Sequence, residues 1–128
     1  MKLNVLFSIQ AIILALVGLA FLVVPVTMQY GTLPANPSAA LLAVVRATAS
    51  LFIAIALLDW MARNSEPSTA RNAIVLANAV GSLSAAILLA LAVFNGADKM
   101  ALIPIVINLL IGIAFIMAGR ASMSAKTG

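Results

Sequence analysis

The chain of 128 residues contains no cysteine and no histidine. The missing cysteines exclude disulfides and thiolate-bound clusters, and the missing histidines remove the commonest ligand of zinc and haem. Only three residues are acidic, and they are spread along the sequence, which does not suit a hard-cation site with several oxygen ligands. We therefore predict neither a metal nor any other cofactor.

Charge of either sign is scarce as well. Only 8% of the residues are charged and 65% are hydrophobic, whereas about a quarter of a soluble domain is charged. The net charge of +4 comes from seven basic residues, but these are single residues and form no basic patch of the kind that binds nucleic acid. The composition predicts a membrane protein with no nucleic-acid partner.

Four apolar stretches are long enough to cross a bilayer, which takes about 20 residues. They cover about residues 5–24, 39–61, 72–94 and 100–119. The first is longer than the apolar region of a signal peptide, which is about 7–15 residues, and we expect it to be retained. Because such spans must be helical, we predict an all-α polytopic membrane protein: one domain over 1–128, folded as an antiparallel four-transmembrane-helix bundle.

The basic residues predict the orientation of these spans. If the spans alternate in direction and Arg46 is set aside as intramembrane, five basic residues fall on one side and one on the other: Lys2, Arg63, Arg71, Arg120 and Lys126 against Lys99. Cytoplasmic loops carry the excess of lysine and arginine, and tyrosine and tryptophan prefer the interfaces, where Tyr30 and Trp60 are expected. We predict a multi-pass protein of the cell inner membrane with both termini in the cytoplasm.

Small residues recur at the spacing of one helix face in each span. The third span contains Ala77, Gly81 and Ala85, which we expect to face another helix, because small residues let membrane helices approach closely. The same pattern could serve a second chain as well as this bundle. The other three spans contain similar sets: Ala11, Ala15 and Gly18; Ala39, Ala43 and Ala47; Gly112, Ala118 and Gly119.

Helix ends are also marked in the sequence. Asn95 and Gly96 suit the end of the third helix, because glycine tolerates the left-handed conformation of a cap. Asp98 stands at the expected N-cap of the fourth helix, and Ser65 or Ser68 at that of the third.

Arg46 interrupts a run that is otherwise apolar, roughly 10 Å below the predicted outer end of the second span. Ser50 lies one turn further on, and Ser82 and Asn108 lie at similar depth on the third and fourth spans. We predict that these four residues form one polar cluster, with Asp98 as the acid on the outer side.

Two interpretations of Arg46 are open. In the first, Arg46 extends to the interface and pairs with Asp98, a lipid phosphate or a helix-end carbonyl, such as that of Met100 freed by Pro104. In the second, it binds an anionic or carbonyl-bearing ligand between helices. A central arginine costs about 2.5–3.5 kcal/mol on insertion scales, so both interpretations require a partner.

Two further polar sites are predicted near the cytoplasmic side. Gln10 and Asn78 share a depth, which predicts a hydrogen bond between the first and third spans. Asp59 precedes Arg63 by four residues, which is the favoured order for an ion pair on a helix surface, and we expect that pair to be solvated.

These residues favour some function classes over others. No nucleophile has a basic partner at the same depth, so we predict that the protein is not an enzyme. We favour an accessory or scaffold subunit that associates in the membrane with itself, as a homo-oligomer, or with a larger complex. The alternatives are a small transporter or channel, and a protein that binds membrane lipid or another amphiphile through Arg46.

The run "LLAVVRATASLFIAIALLDWMAR", with Pro25 after the first span and Arg71 opening the third, resembles small bacterial four-helix membrane proteins of the DoxX-like type. The similar features cover most of the chain but include no specific motif. The resemblance implies a four-helix fold in a bacterial inner membrane, and it implies no activity.

Overall fold

The computed structural model describes residues 2–24 and 36–124, with backbone alone over 122–124. The predictions for Pro25, Tyr30 and Lys126 lie outside this part of the chain.

Within it, four helices are long and apolar enough to cross a membrane. They are α1 (Leu3–Val23), α2 (Ala39–Ala62), α3 (Thr69–Phe94) and α4 (Leu102–Ser124), the last preceded by a single 3-10 turn over Lys99–Ala101. Each of the four predicted spans coincides with a long apolar helix, and the bounds agree to within about five residues.

Local hydrogen bonds explain where the helices begin and end. The side chains of Ser38 and Ser68 accept hydrogen bonds from the backbone N–H of Leu41 and Arg71, both at 3.2 Å. Each satisfies one donor that a helix leaves free at its N-terminus, and the cap at Ser68 starts α3 three residues before the predicted boundary. Gly96, with a φ of 95°, ends α3 in the left-handed region, as predicted.

The helices pack mainly in two pairs, α1 with α2 and α3 with α4, which we call the first pair and the second pair. Glycine permits the closest approach in each. A Cβ atom at Gly18 would lie 2.9 Å from the backbone oxygen of Ala49, and one at Gly112 would lie 2.8 Å from the side chain of Leu83. The predicted small-residue contacts of the first and fourth helices are present at these glycines.

The two pairs meet in a buried cluster at one end of the bundle, which we call the end core. It joins the start of α1, the end of α2, the first part of α3 and the second half of α4, and consists of Leu3, Leu6, Phe7, Ala62, Val75, Ala79, Ile111 and Phe115. The rings of Phe7 and Phe115 cross edge to face with centroids 5.5 Å apart. Elsewhere α2 and α3 touch at few points.

The small residues predicted to pack on α2 and α3 do not make close helix contacts like those at Gly18 on α1 and Gly112 on α4. Ala39, Ala43 and Ala47 are exposed, and a Cβ atom at Gly81 would meet no other atom within 4 Å. Both helices pack through other faces, with Val45 and Ala49 buried on α2, and Val75 and Ala79 on α3. The predicted helix contact through Ala77, Gly81 and Ala85 is therefore not formed among residues 2–24 and 36–124.

Candidate functional site

A cavity of about 650 Å³ separates the two helix pairs. Cavities that bind small molecules have about 300–1,000 Å³ and are lined mostly by apolar side chains. All four helices contribute apolar side chains to this wall, among them Phe21, Phe52, Ile74 and Ile107. Ala77, Gly81 and Ala85 also line it, so the small residues of α3 leave space for the cavity where larger side chains would fill it.

Polar side chains gather at the part of the cavity nearest the end core. Gln10 and Asn78 line it there and are 5% and 6% exposed. Asn78 donates a hydrogen bond from Nδ2 to Oδ1 of Asp59 at 2.5 Å, and Asp59 is fully buried. We call Gln10, Asn78 and Asp59 the polar floor. Its hydrogen bond connects α2 of the first pair to α3 of the second.

The polar floor differs from both sequence predictions for these residues. Asn78 bonds to Asp59, so the predicted hydrogen bond between Gln10 and Asn78 is replaced by one with a stronger acceptor. The predicted solvated ion pair is also wrong. Asp59 points into the bundle, whereas Arg63 donates from Nη1 to the carbonyl of Trp60 and stacks over its indole, 3.5 Å from the centroid.

Two acceptors of the polar floor are left without a partner. Oε1 of Gln10 and Oδ2 of Asp59 are buried, and neither receives a hydrogen bond from the described residues. An unpaired buried acceptor costs about 1–3 kcal/mol, and more when it is charged. Gln10 lines the cavity, so its side chain can accept a hydrogen bond from a donor that enters, whereas Asp59 does not line the cavity and is reached by way of Asn78.

The predicted cluster around Arg46 is divided between two surfaces. Ser82 and Asn108 line the cavity, and Asn108 donates from Nδ2 to the carbonyl of Pro104 at 2.8 Å. Arg46 and Ser50 are exposed on the outside of α2, where the Ser50 hydroxyl donates to the carbonyl of Ala47 at 2.7 Å. Arg46 makes no hydrogen bond or ion pair with another residue of the described ranges.

The expected acidic partner of Arg46 has another role. Asp98 accepts a hydrogen bond at Oδ1 from the Met100 N–H at 2.9 Å, which confirms it as the predicted N-cap. Pro104 is the third residue of α4. The preceding 3-10 turn runs directly into α4, and the backbone N–H of Leu102 donates to the carbonyls of Lys99 and Met100. The Met100 carbonyl is therefore not free, contrary to the expectation from Pro104.

Comparison with family models, with curated proteins and with solved structures finds no match to this chain. The resemblance to the DoxX-like type therefore stays a prediction, and the functional assignment depends on the site itself.

Proposed function

We propose that the protein is a non-enzymatic integral membrane protein that binds an amphiphilic molecule between its two helix pairs. The cavity of about 650 Å³ is the observation that supports this proposal. Its apolar walls suit an acyl or alkyl chain, and its polar floor suits a head group that donates hydrogen bonds. In this proposal the helices alternate in direction across a bacterial inner membrane.

The proposed topology has a direct test, because the chain is free of cysteine. Asn36 and Ser65 are exposed outside the helices, before α2 and after it. The proposed orientation places Arg63, which follows α2, and Arg71, in the first turn of α3, in the cytoplasm. Asn36→Cys should therefore react with an impermeant thiol reagent added to intact cells. Ser65→Cys should react only after the cells are opened, and its labelling in intact cells would contradict the proposed orientation.

The binding proposal predicts that filling the cavity prevents ligand binding without unfolding the protein. Gly81→Leu adds a side chain where no atom lies within 4 Å, on the cavity wall. We expect this variant to melt within a few degrees of the wild type in detergent. Labelling by a photoreactive decanol that carries a diazirine on its chain should fall at least fivefold, as measured by mass spectrometry of cavity peptides.

Ala54→Leu is the matched control, since Ala54 is exposed on α2 and is not part of the cavity wall. It should label like the wild type. Equal labelling of the wild type and Gly81→Leu would show that the probe binds elsewhere and would contradict the proposal.

A subunit role is the second candidate, and the exposed face of α2 favours it. Ala39, Ala43 and Ala47 form a smooth surface beside Arg46, whose guanidinium makes no ion pair within the described chain. A second copy or a larger membrane protein with an acidic or carbonyl partner would suit this face. Purification in mild detergent distinguishes the candidates: a stable complex of defined mass supports the subunit role, and a monomer that retains lipid supports binding.

A further inference from the structure

Gln10 is the one residue of the described cavity wall that has a buried acceptor without a partner, and Asp59, which does not line the cavity, has a second such acceptor behind Asn78. Thr48 and Asn108 also line the cavity, but each bonds to a carbonyl of its own helix, at 3.0 and 2.8 Å. Gln10 is 5% exposed, and its Oε1 has no partner. Ser82 also lines the cavity, but among the lining residues only Gln10 has a buried acceptor without a partner, at the end of the cavity where Asn78 bonds to Asp59.

At this end of the cavity, no ion pair within the described chain balances the charge of Asp59. Asp59 accepts a hydrogen bond from Asn78 at Oδ1 and makes no ion pair, and its Oδ2 is unpartnered. Arg63 and Arg71, the basic residues nearest to Asp59 in the sequence, make no ion pair with it. Arg63 stacks on Trp60. The guanidinium carbon of Arg71 lies 6.0 Å from the centroid of the Phe7 ring, and its Nε is buried without a hydrogen-bond partner among the described residues.

We propose, on the basis of the amphiphile-binding function above, that the ligand is an alkylamine whose ammonium group binds at the polar floor. A primary ammonium has three N–H donors and no acceptor. Gln10 and Asn78 line the cavity and contact this head group, and the carboxylate of Asp59 behind Asn78 provides the opposite charge. The alkyl chain extends along the apolar walls toward Phe21 and Phe52.

The same requirements for hydrogen-bond donors and positive charge predict that other amphiphiles of equal chain length bind more weakly than a primary amine. An alcohol offers one donor for Gln10 but carries no charge to balance the carboxylate of Asp59. A trimethylammonium carries the charge but has no N–H donor. A carboxylate would place a second negative charge near Asp59 and add acceptors where acceptors are already unpaired.

The test is competition against the photoreactive decanol in detergent-solubilised full-length protein. On the wild type, decylamine should displace the probe at a concentration at least tenfold lower than decanol does. Decyltrimethylammonium should fall between the two, and decanoate should be weakest. Asp59→Asn retains the shape and removes the charge, so it should bring the competing concentration of decylamine within twofold of that of decanol.

Gln10→Met, which retains the length of the side chain and removes the acceptor, provides a second variant that does not depend on the folding of Asp59→Asn. It should reduce the advantage of decylamine at least threefold, and Ala54→Leu should leave it unchanged. If the probe labels the wild-type cavity but decylamine competes no better than decanol, the alkylamine inference is wrong and amphiphile binding stands. If the probe does not label the cavity, both proposals are wrong.

Discussion

Gly18→Leu is expected to be among the most damaging single substitutions in this chain, with a loss of about 3 kcal/mol in the free energy of unfolding. A Cβ atom at position 18 would already lie 2.8 Å from the side chain of Ile53 and 2.9 Å from the carbonyl oxygen of Ala49. A side chain can rotate away, but the backbone carbonyl cannot. The larger residue must therefore push α1 away from α2, and the close packing that holds membrane helices together is lost.

Gly81→Leu is the matched control for this effect. It makes the same substitution within a helix, at a position where a Cβ atom meets nothing within 4 Å. Thermal melting of both variants in the same detergent measures the difference. A Gly18→Leu protein as stable as the Gly81→Leu protein would mean that α1 and α2 do not approach at Gly18.

Phe115→Ala is expected to cost about 2–3 kcal/mol, because it empties space in the end core on the order of 100 Å³, at about 24 cal/mol per Å³. Phe115 is fully buried and crosses the Phe7 ring edge to face. In a membrane the ring would be surrounded by lipid tails when the bundle separates, so little of its stabilisation comes from leaving water. The cost is therefore mainly lost packing.

Phe94→Ala serves as the control, since Phe94 is 88% exposed and contributes little to the packing of the bundle. We expect its melting temperature to change little. A combined Phe7→Ala and Phe115→Ala variant should lose less than the sum of the single changes, by about 0.5–1.5 kcal/mol, because each single change already removes the ring contact. Strict additivity would contradict a direct contact between the rings.

The helices and several of their ends could be predicted from sequence because the signals are local. Span length follows from the thickness of the apolar layer, and the caps at Ser68, Asp98 and Gly96 depend on residues within three positions. The close approach at Gly18 and Gly112 could also be predicted, since small residues at helical spacing are the usual contact points of membrane helices.

The rotation of each helix about its axis could not be predicted, because these helices are apolar on every side. Ala77, Gly81 and Ala85 have the same spacing as a packing face, and only the contacts of Val75 and Ala79 show that α3 is turned differently. On α2, the rotation of the helix leaves Arg46 exposed and Asp59 buried. The shared depth of Gln10 and Asn78 predicts a polar site at that level, but the spacing of Asp59 and Arg63 predicts a surface ion pair and gives no signal that Asp59 bonds to Asn78.

The hydrogen bond between Asp59 and Asn78 makes the first pair depend on the second. The contacts between α1 and α2 involve only residues up to Ala62, which precede α3 in the chain. Without α3, Asp59 lacks the donor that Asn78 provides, and an unpaired carboxylate among apolar helices is costly. We therefore expect the first pair to be less stable alone than in contact with the second pair.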